Sequence, residues 1–176
     1  MKAIWVSAFV AAAGIVVGSV LAAEVSVSDV HLCCAACTKA VGKALKGVAG
    51  VSGAKCDTGA RTVTFTASND DAVKAAIKAL NAAGFHGSAK ADGKDASVPD
   101  DSGAKAGDKP EEVTLTGIHN CCGMCKKAII KTVEGVSGAG SVEIRRREVS
   151  ITGNKADVAE IVKALNAAGF HVKVEK

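Results

Sequence analysis

The 176-residue chain has no tyrosine, one tryptophan and four phenylalanines. Trp5 and Phe9 fall in an N-terminal apolar run, which leaves only Phe65, Phe85 and Phe170 beyond it. An aromatic core is therefore excluded, and the cores must be built from Val, Ile, Leu and Ala. Small cores of that kind bury little surface and are marginally stable alone; a bound metal would add to their stability. A strong charge of either sign is also missing. The net charge is +4, falling to +3 without Lys2, which is too weak to argue for nucleic acid. The one basic run, Arg145-Arg146-Arg147, lies at a predicted hairpin and reads as a solvated turn rather than a docking patch.

The N-terminus reads as a targeting segment. Met1-Lys2 precedes an apolar stretch from Ala3 to Val20, and Leu21-Ala22-Ala23 stands before Glu24. This is the pattern of a secretory signal peptide over residues 1–23, cleaved near Ala22 or Ala23. The alternative is an uncleaved anchor, but Gly14, Gly18 and the many alanines make a weak one. With no cysteine near the cleavage point, a lipid-modified N-terminal cysteine is excluded. The mature chain is expected to be exported, periplasmic or secreted, and not membrane-embedded. It is too short for a large enzyme but long enough for two small domains.

The remaining signal is cysteine. His31-Leu32-Cys33-Cys34-Ala35-Ala36-Cys37 returns as His119-Asn120-Cys121-Cys122-Gly123-Met124-Cys125, and these clusters hold six of the seven cysteines. Thiols and imidazoles bind soft and borderline metals. An exported protein favours disulfides, yet a structural framework spreads its cysteines to staple distant segments. Cysteines adjacent in sequence suit a local site.

The second half of the chain repeats the first. Lys78 through His86 is identical to Lys163 through His171. Domain one is placed at residues 24–90 and domain two at 111–176. Residues 91–110, rich in Gly, Ser, Asp and Lys, read as a flexible linker. Each copy has the pattern strand, helix, strand, strand, helix, strand. Val25 and Val27 alternate with serines. Cys37, Ala40, Val41, Ala44, Leu45 and Val48 recur at helical spacing, matched by Cys125, Ala128, Ile129, Thr132, Val133 and Val136. In the following hairpin Ala54, Cys56, Val63 and Phe65 point inward, matched by Val142, Ile144, Val149 and Ile151. Asn69 and Asn154 are the predicted caps of the second helices, and Gly84 and Gly169 their left-handed stops. A four-stranded antiparallel sheet covered on one face by two helices, twice in tandem, buries all these stripes.

Within each cluster Cys34 and Cys37, or Cys122 and Cys125, are three residues apart at a predicted helix start. Both sulfurs of a pair can converge on one ion. The helix end favours thiolates, and Lys39, Lys126 and Lys127 can offset their charge. In this setting each copy resembles a heavy-metal-associated domain. That is the family of copper chaperones, metal-pumping ATPase domains and periplasmic mercury-binding proteins, with its Gly-Met-x-Cys-x-x-Cys loop. The carrying residues are Cys34-Ala35-Ala36-Cys37, Cys122-Gly123-Met124-Cys125, and the Gly-Phe pairs Gly84-Phe85 and Gly169-Phe170. The resemblance implies an α+β fold of two ferredoxin-like βαββαβ sandwiches, and the transfer or sequestration of Cu(I), or of Zn(II) or Hg(II) in some members.

The chain departs from that loop. Where the family has Gly-Met, it has His31-Leu32 and His119-Asn120; Leu32 can replace the methionine in packing, Asn120 less well. Cys33 and Cys121 are extra. Neighbours in an extended loop point in opposite directions, so Cys33 and Cys34 are not expected to share an ion without a twist. Three arrangements follow: Cu(I) on the Cys34/Cys37 and Cys122/Cys125 pairs; Zn(II) held by three cysteines with His31 or His119; or a redox-active disulfide. Cys56 is expected to be buried and inert, and His86 and His171 to lie on the surface. The overall expectation is a non-enzymatic soft-metal binder with Cu(I) foremost, Zn(II) or Hg(II) next. It would buffer or scavenge metal, or hand it to a metal-transporting membrane protein or another receiving protein. A linker of about 20 residues spans roughly 25 Å, enough for the two loops to face each other and clamp one ion.

Overall fold

The computed structural model describes residues 22–96 and 100–175. The expected signal peptide, apart from Ala22 and Ala23, lies outside the described residues. Among the described residues no helix is long and apolar enough to cross a membrane.

The first copy runs β1 (Ala23–Ser28), α1 (Ala35–Lys46), β2 (Val51–Asp57), β3 (Thr62–Ala67), α2 (Asp70–Ala82), β4 (Ser88–Ala91) and β5 (Lys94–Asp95). The second runs β6 (Glu112–Thr116), α3 (Gly123–Glu134), β7 (Ser141–Arg145), β8 (Glu148–Thr152), α4 (Val158–Ala167) and β9 (Lys173–Val174). The sheets are ordered β2-β3-β1-β4-β5 and β7-β8-β6-β9, antiparallel throughout. These are two ferredoxin-like units in tandem, each with its two helices packed together on the sheet.

The stripes explain the packing. Val25, Val27, Val63 and Phe65 are buried from their strands, under Cys37, Val41 and Leu45 of α1 and Val73, Ala76, Ile77 and Leu80 of α2. The second copy buries Val113, Leu115, Val149 and Ile151 under Cys125, Ile129 and Val133 of α3 and Ile161, Val162 and Leu165 of α4. Residues i and i+4 lie above one another on a helix, so each leading cysteine, Cys37 or Cys125, extends a core stripe to the helix tip. Leu32 is buried, whereas Asn120 is half-buried.

Several sequence expectations shift. The strand β2 changes register between Ser52 and Lys55, so Ala54 is exposed and Cys56 only half-buried. Asn69 caps α2, its side chain accepting from Ala72 N at 2.9 Å. The cap of α4 is Asp157 rather than Asn154. Asn154 is instead buried and donates from Nδ2 to the carbonyls of Pro110 and Ala156. The segment expected to be a flexible linker is hydrogen-bonded over much of its described length. A turn through Asp92 and Gly93, both at positive φ, adds β5 to the first sheet; Asp-Gly favours this two-residue hairpin. Further on, Val174 N donates to Ser102 O, and Gly107 N donates to the Asp157 carboxylate.

The two copies dock through corresponding residues. Phe85 and Phe170 form an antiparallel bridge. His86 N donates to Gly169 O and His171 N to Gly84 O, each at 3.1 Å. His31 N reaches Gly169 O, and His119 N reaches Gly84 O. Arg61 Nη2 donates to Asp29 O in its own copy and Ala168 O in the other; Arg147 Nη2 donates to Gly117 O and Ala82 O. Arg147 is thus a docking residue, not merely part of a solvated turn. His86 and His171 are not surface residues either: their rings face each other across the junction with centroids 6.2 Å apart. His171 is 3% exposed, with Asp101 Oδ1 3.0 Å from its Nε2.

Candidate metal centre

Docking sets the starts of α1 and α3 against each other and brings six sulfurs into one group. Cys33 Sγ lies 3.6 Å from Cys37 Sγ, 3.6 Å from Cys122 Sγ and 3.4 Å from Cys125 Sγ. Cys121 Sγ lies 3.6 Å from each of Cys34, Cys37 and Cys125. Within the pairs, Cys34 and Cys37 are 3.9 Å apart, and Cys122 and Cys125 4.0 Å. Cys56 stands apart from this group.

Two sets of four sulfurs have the compactness of an ion site: Cys33, Cys34, Cys37 and Cys121, and Cys33, Cys121, Cys122 and Cys125, all within 4.8 Å of one another. The sulfurs of adjacent Cys33 and Cys34 therefore come closer than an extended loop implies. Helix α1 begins at Ala35, directly after Cys34, and the chain curls round so that Cys37 lies against both. The neighbouring copy supplies the remaining sulfur, which a reading of one loop at a time cannot anticipate.

The histidines back the cluster. His119 forms a further set with Cys37, Cys121 and Cys125, and among the described residues no such set includes His31. His31 stacks on Phe170 and His119 on Phe85, with centroids 4.2 and 4.3 Å apart. Each ring is thus held by the aromatic of the other copy. The Nε2 atoms of both histidines are buried without a hydrogen bond. Burial, then Arg61 and His119, lowers the His31 pKa to about 4; burial and Arg147 lower that of His119. Both imidazoles are neutral near pH 7, the form that offers a lone pair to a metal.

The thiols divide by position. Backbone amides at the start of α1, that of Cys37 first, pull Cys34 down to about 6. The same end of α3, Cys125 N first, lowers Cys122. The helix-start amides favour the thiolate in both copies, and a sulfur of the other copy adds to the effect, Cys121 at Cys34 and Cys33 at Cys122. Burial pushes Cys33, Cys121 and Cys37 upward, and the crowding of sulfurs adds to the rise at Cys33 and Cys121. Were all six ionised, thiolates at these separations would repel one another. A soft cation among them would remove that repulsion, so the donor set fits a thiophilic metal.

Residues 24–86 match the family model described as Heavy-metal-associated domain. The first copy is a heavy-metal-associated domain. The match ends at His86, and the second copy repeats the same strand order, cysteine spacing and helix stop. Among solved structures, oxidized MerP from Ralstonia metallidurans CH34 is similar at 26% identity, over 37% of this chain and 96% of that one, with TM-score 0.34. The N-terminal soluble domains of Bacillus subtilis CopA are similar at 18% identity, over 86% and 92%, with TM-score 0.30. The water-soluble region of the Bacillus subtilis P-type ATPase CopA gives 19%, over 86% and 90%, with TM-score 0.31. No curated protein matches the chain.

Cys34 and Cys37 stand at the start of α1 within the matched residues. Cys33, Cys121 and the two histidines gain a context only where the domain meets its second copy. The arginine ties were missed by sequence reasoning. The visible hint was an arginine at the end of each hairpin turn, Arg61 and Arg147, just before the matched strands β3 and β8.

Proposed function

We propose that the chain is an exported, non-enzymatic carrier of soft metal ions, Cu(I) foremost, which it holds between its two copies and passes on by thiolate exchange. The observation that carries this reading is the convergence of six cysteine sulfurs from both copies at 3.4–4.0 Å contacts. Thiolate-rich donor sets select Cu(I) over harder cations; Zn(II) and Hg(II) are the competitors. The receiving partner is a metal-transporting membrane protein or another thiol-bearing protein. Cys121 is exposed, and Cys34 and Cys122 are only half-buried, so an incoming thiolate can reach them.

The test is anaerobic titration of the reduced protein with Cu(I), Zn(II) and Hg(II), each against a competing chelator. Cu(I) should be retained far better than by a free small thiol, and the Cys37→Ser/Cys125→Ser variant should lose that advantage. Cu(I) held no better than by a free thiol would overturn the proposal. Export has its own check. Trp5 is the only tryptophan, so protein recovered from the exported fraction should show no tryptophan emission. A second reading, thiol–disulfide exchange, is favoured by the 3.4 Å contact of Cys33 with Cys125; turnover of a disulfide substrate by metal-free protein would support it.

A further inference from the structure

Each cysteine cluster carries one cysteine more than a two-thiolate site uses. The geometry points to a role for that cysteine in the other copy: we infer that the chain holds two ions in crossed three-sulfur sites, one made by Cys34, Cys37 and Cys121, the other by Cys122, Cys125 and Cys33. This rests on the soft-metal reading above and specifies which sulfurs hold which ion.

The distances carry the assignment. Cys121 Sγ is 3.6 Å from both Cys34 and Cys37, which are 3.9 Å apart. Cys33 Sγ is 3.6 and 3.4 Å from Cys122 and Cys125, which are 4.0 Å apart. These are two closed triangles of the same shape, related by exchange of the copies. The uncrossed grouping is open: Cys33 meets Cys37 of its own pair at 3.6 Å, and Cys121 meets Cys125 at 3.6 Å. Among the described residues neither makes a comparable contact with the cysteine beside it in sequence. Although the sulfurs of Cys33 and Cys34 lie within 4.8 Å of each other, as do those of Cys121 and Cys122, two of the three short contacts of each preceding cysteine run across the junction. A flat triangle of bonds near 2.3 Å needs sulfurs about 4.0 Å apart, so each triangle takes an ion after a slight spreading.

The arrangement differs from one ion clamped between two loops. It predicts two equivalent ions per chain and makes docking of the copies a condition for three-coordination. An ion in either site loses one sulfur when the copies part, leaving a two-coordinate ion on a half-buried loop. Opening the junction thereby becomes a means of release.

The experiment isolates one site at a time in the full chain. In a Cys34→Ser/Cys37→Ser background, the remaining ion should sit on Cys122, Cys125 and Cys33. Adding Cys33→Ser should then weaken Cu(I) retention by about tenfold or more, since even residues that only support a ligand cost 10–100-fold. X-ray absorption should show the sulfur count falling from three to two. Adding Cys121→Ser instead should change neither. The mirror background, Cys122→Ser/Cys125→Ser, should respond to Cys121→Ser and not to Cys33→Ser. Responses in the opposite sense would establish uncrossed sites and overturn the inference. So would no response to either residue, or a wild-type chain that takes up a single ion. All three leave the soft-metal reading intact, whereas a wild-type chain that fails to retain Cu(I) removes that reading itself.

Discussion

Docking of the two copies hangs on two glycines, and replacing them separates steric from conformational effects. Gly84 has φ +88° and Gly169 φ +91°. Alanine at either position costs about 1–2 kcal/mol of left-handed strain. That cost falls within one copy and does not drive the copies apart. The contact with the other copy does. A Cβ on Gly84 would run into His119 N and stand 2.5 Å from Gly117 O; one on Gly169 would run into His31 N and stand 2.5 Å from Asp29 O. These are backbone atoms and cannot rotate away, so the junction must open. Opening gives up four main-chain bonds, those of His31, His86, His119 and His171 to the two glycine carbonyls. At about 1 kcal/mol net each, they contribute about 4 kcal/mol at most. Small-angle scattering of Gly84→Ala/Gly169→Ala should therefore show an extended pair, with Cu(I) retention reduced. Two controls apportion the cause. Gly117 has φ +83°, and a Cβ there would meet nothing within 4 Å, so Gly117→Ala should lose stability but stay compact. Gly84→Asn tolerates the left-handed backbone better yet keeps the Cβ, and should still expand. Wild-type dimensions in the double alanine variant, or equal expansion in Gly117→Ala, would refute the steric argument.

Three further outcomes are expected. Cys34 has a folded-state pKa near 6 against an ordinary value of 9.0, so the stability its thiolate contributes is complete above pH 9 and lost as pH falls through 6; thiolate ultraviolet absorbance of the metal-free protein, unobstructed without tyrosine, should disappear over the lower part of that range. His31 is lowered from 6.5 to about 4, so the unfolded chain takes up its proton first, and chemical denaturation at successive pH values should show stability declining from pH 6.5 towards 4; His31→Phe, which keeps a ring against Phe170, should flatten that decline. Cys56→Ser should lower stability by about 1 kcal/mol while leaving Cu(I) stoichiometry unchanged, because its half-buried sulfur lies outside the cluster.

Much of this architecture is legible locally. The valine–serine alternation of β1, the i, i+4 stripes of α1 and α3, the Asn69 cap and the glycine stops each express short-range rules that a single strand or helix obeys. So does the placement of Cys34 and Cys37 at a helix start. The cap at Asp157 was less legible, because Asn154, Asp157 and the segment before β6 compete for the same turn, and Asn154 is drawn instead to Pro110 O and Ala156 O. The hairpin at Asp92-Gly93 had a turn signal, but its second strand is only two residues long and lies in a polar stretch with no apolar alternation.

The sequence alone therefore determined two similar units, each with a cysteine pair at a helix start, because those features depend on neighbours a few residues away. Tertiary structure alone decided what the units do together. Cys33 and Cys121 read as separate from their own pairs, and His86, His171 and Arg147 as surface groups, because each one's partner across the junction lies 65 to 92 residues distant in the chain. Only docking places Gly84 against His119 and Gly169 against His31, and closes six sulfurs into one group. The physical reason is that a junction between folded units is specified by two completed surfaces, and no periodicity within either unit encodes their match.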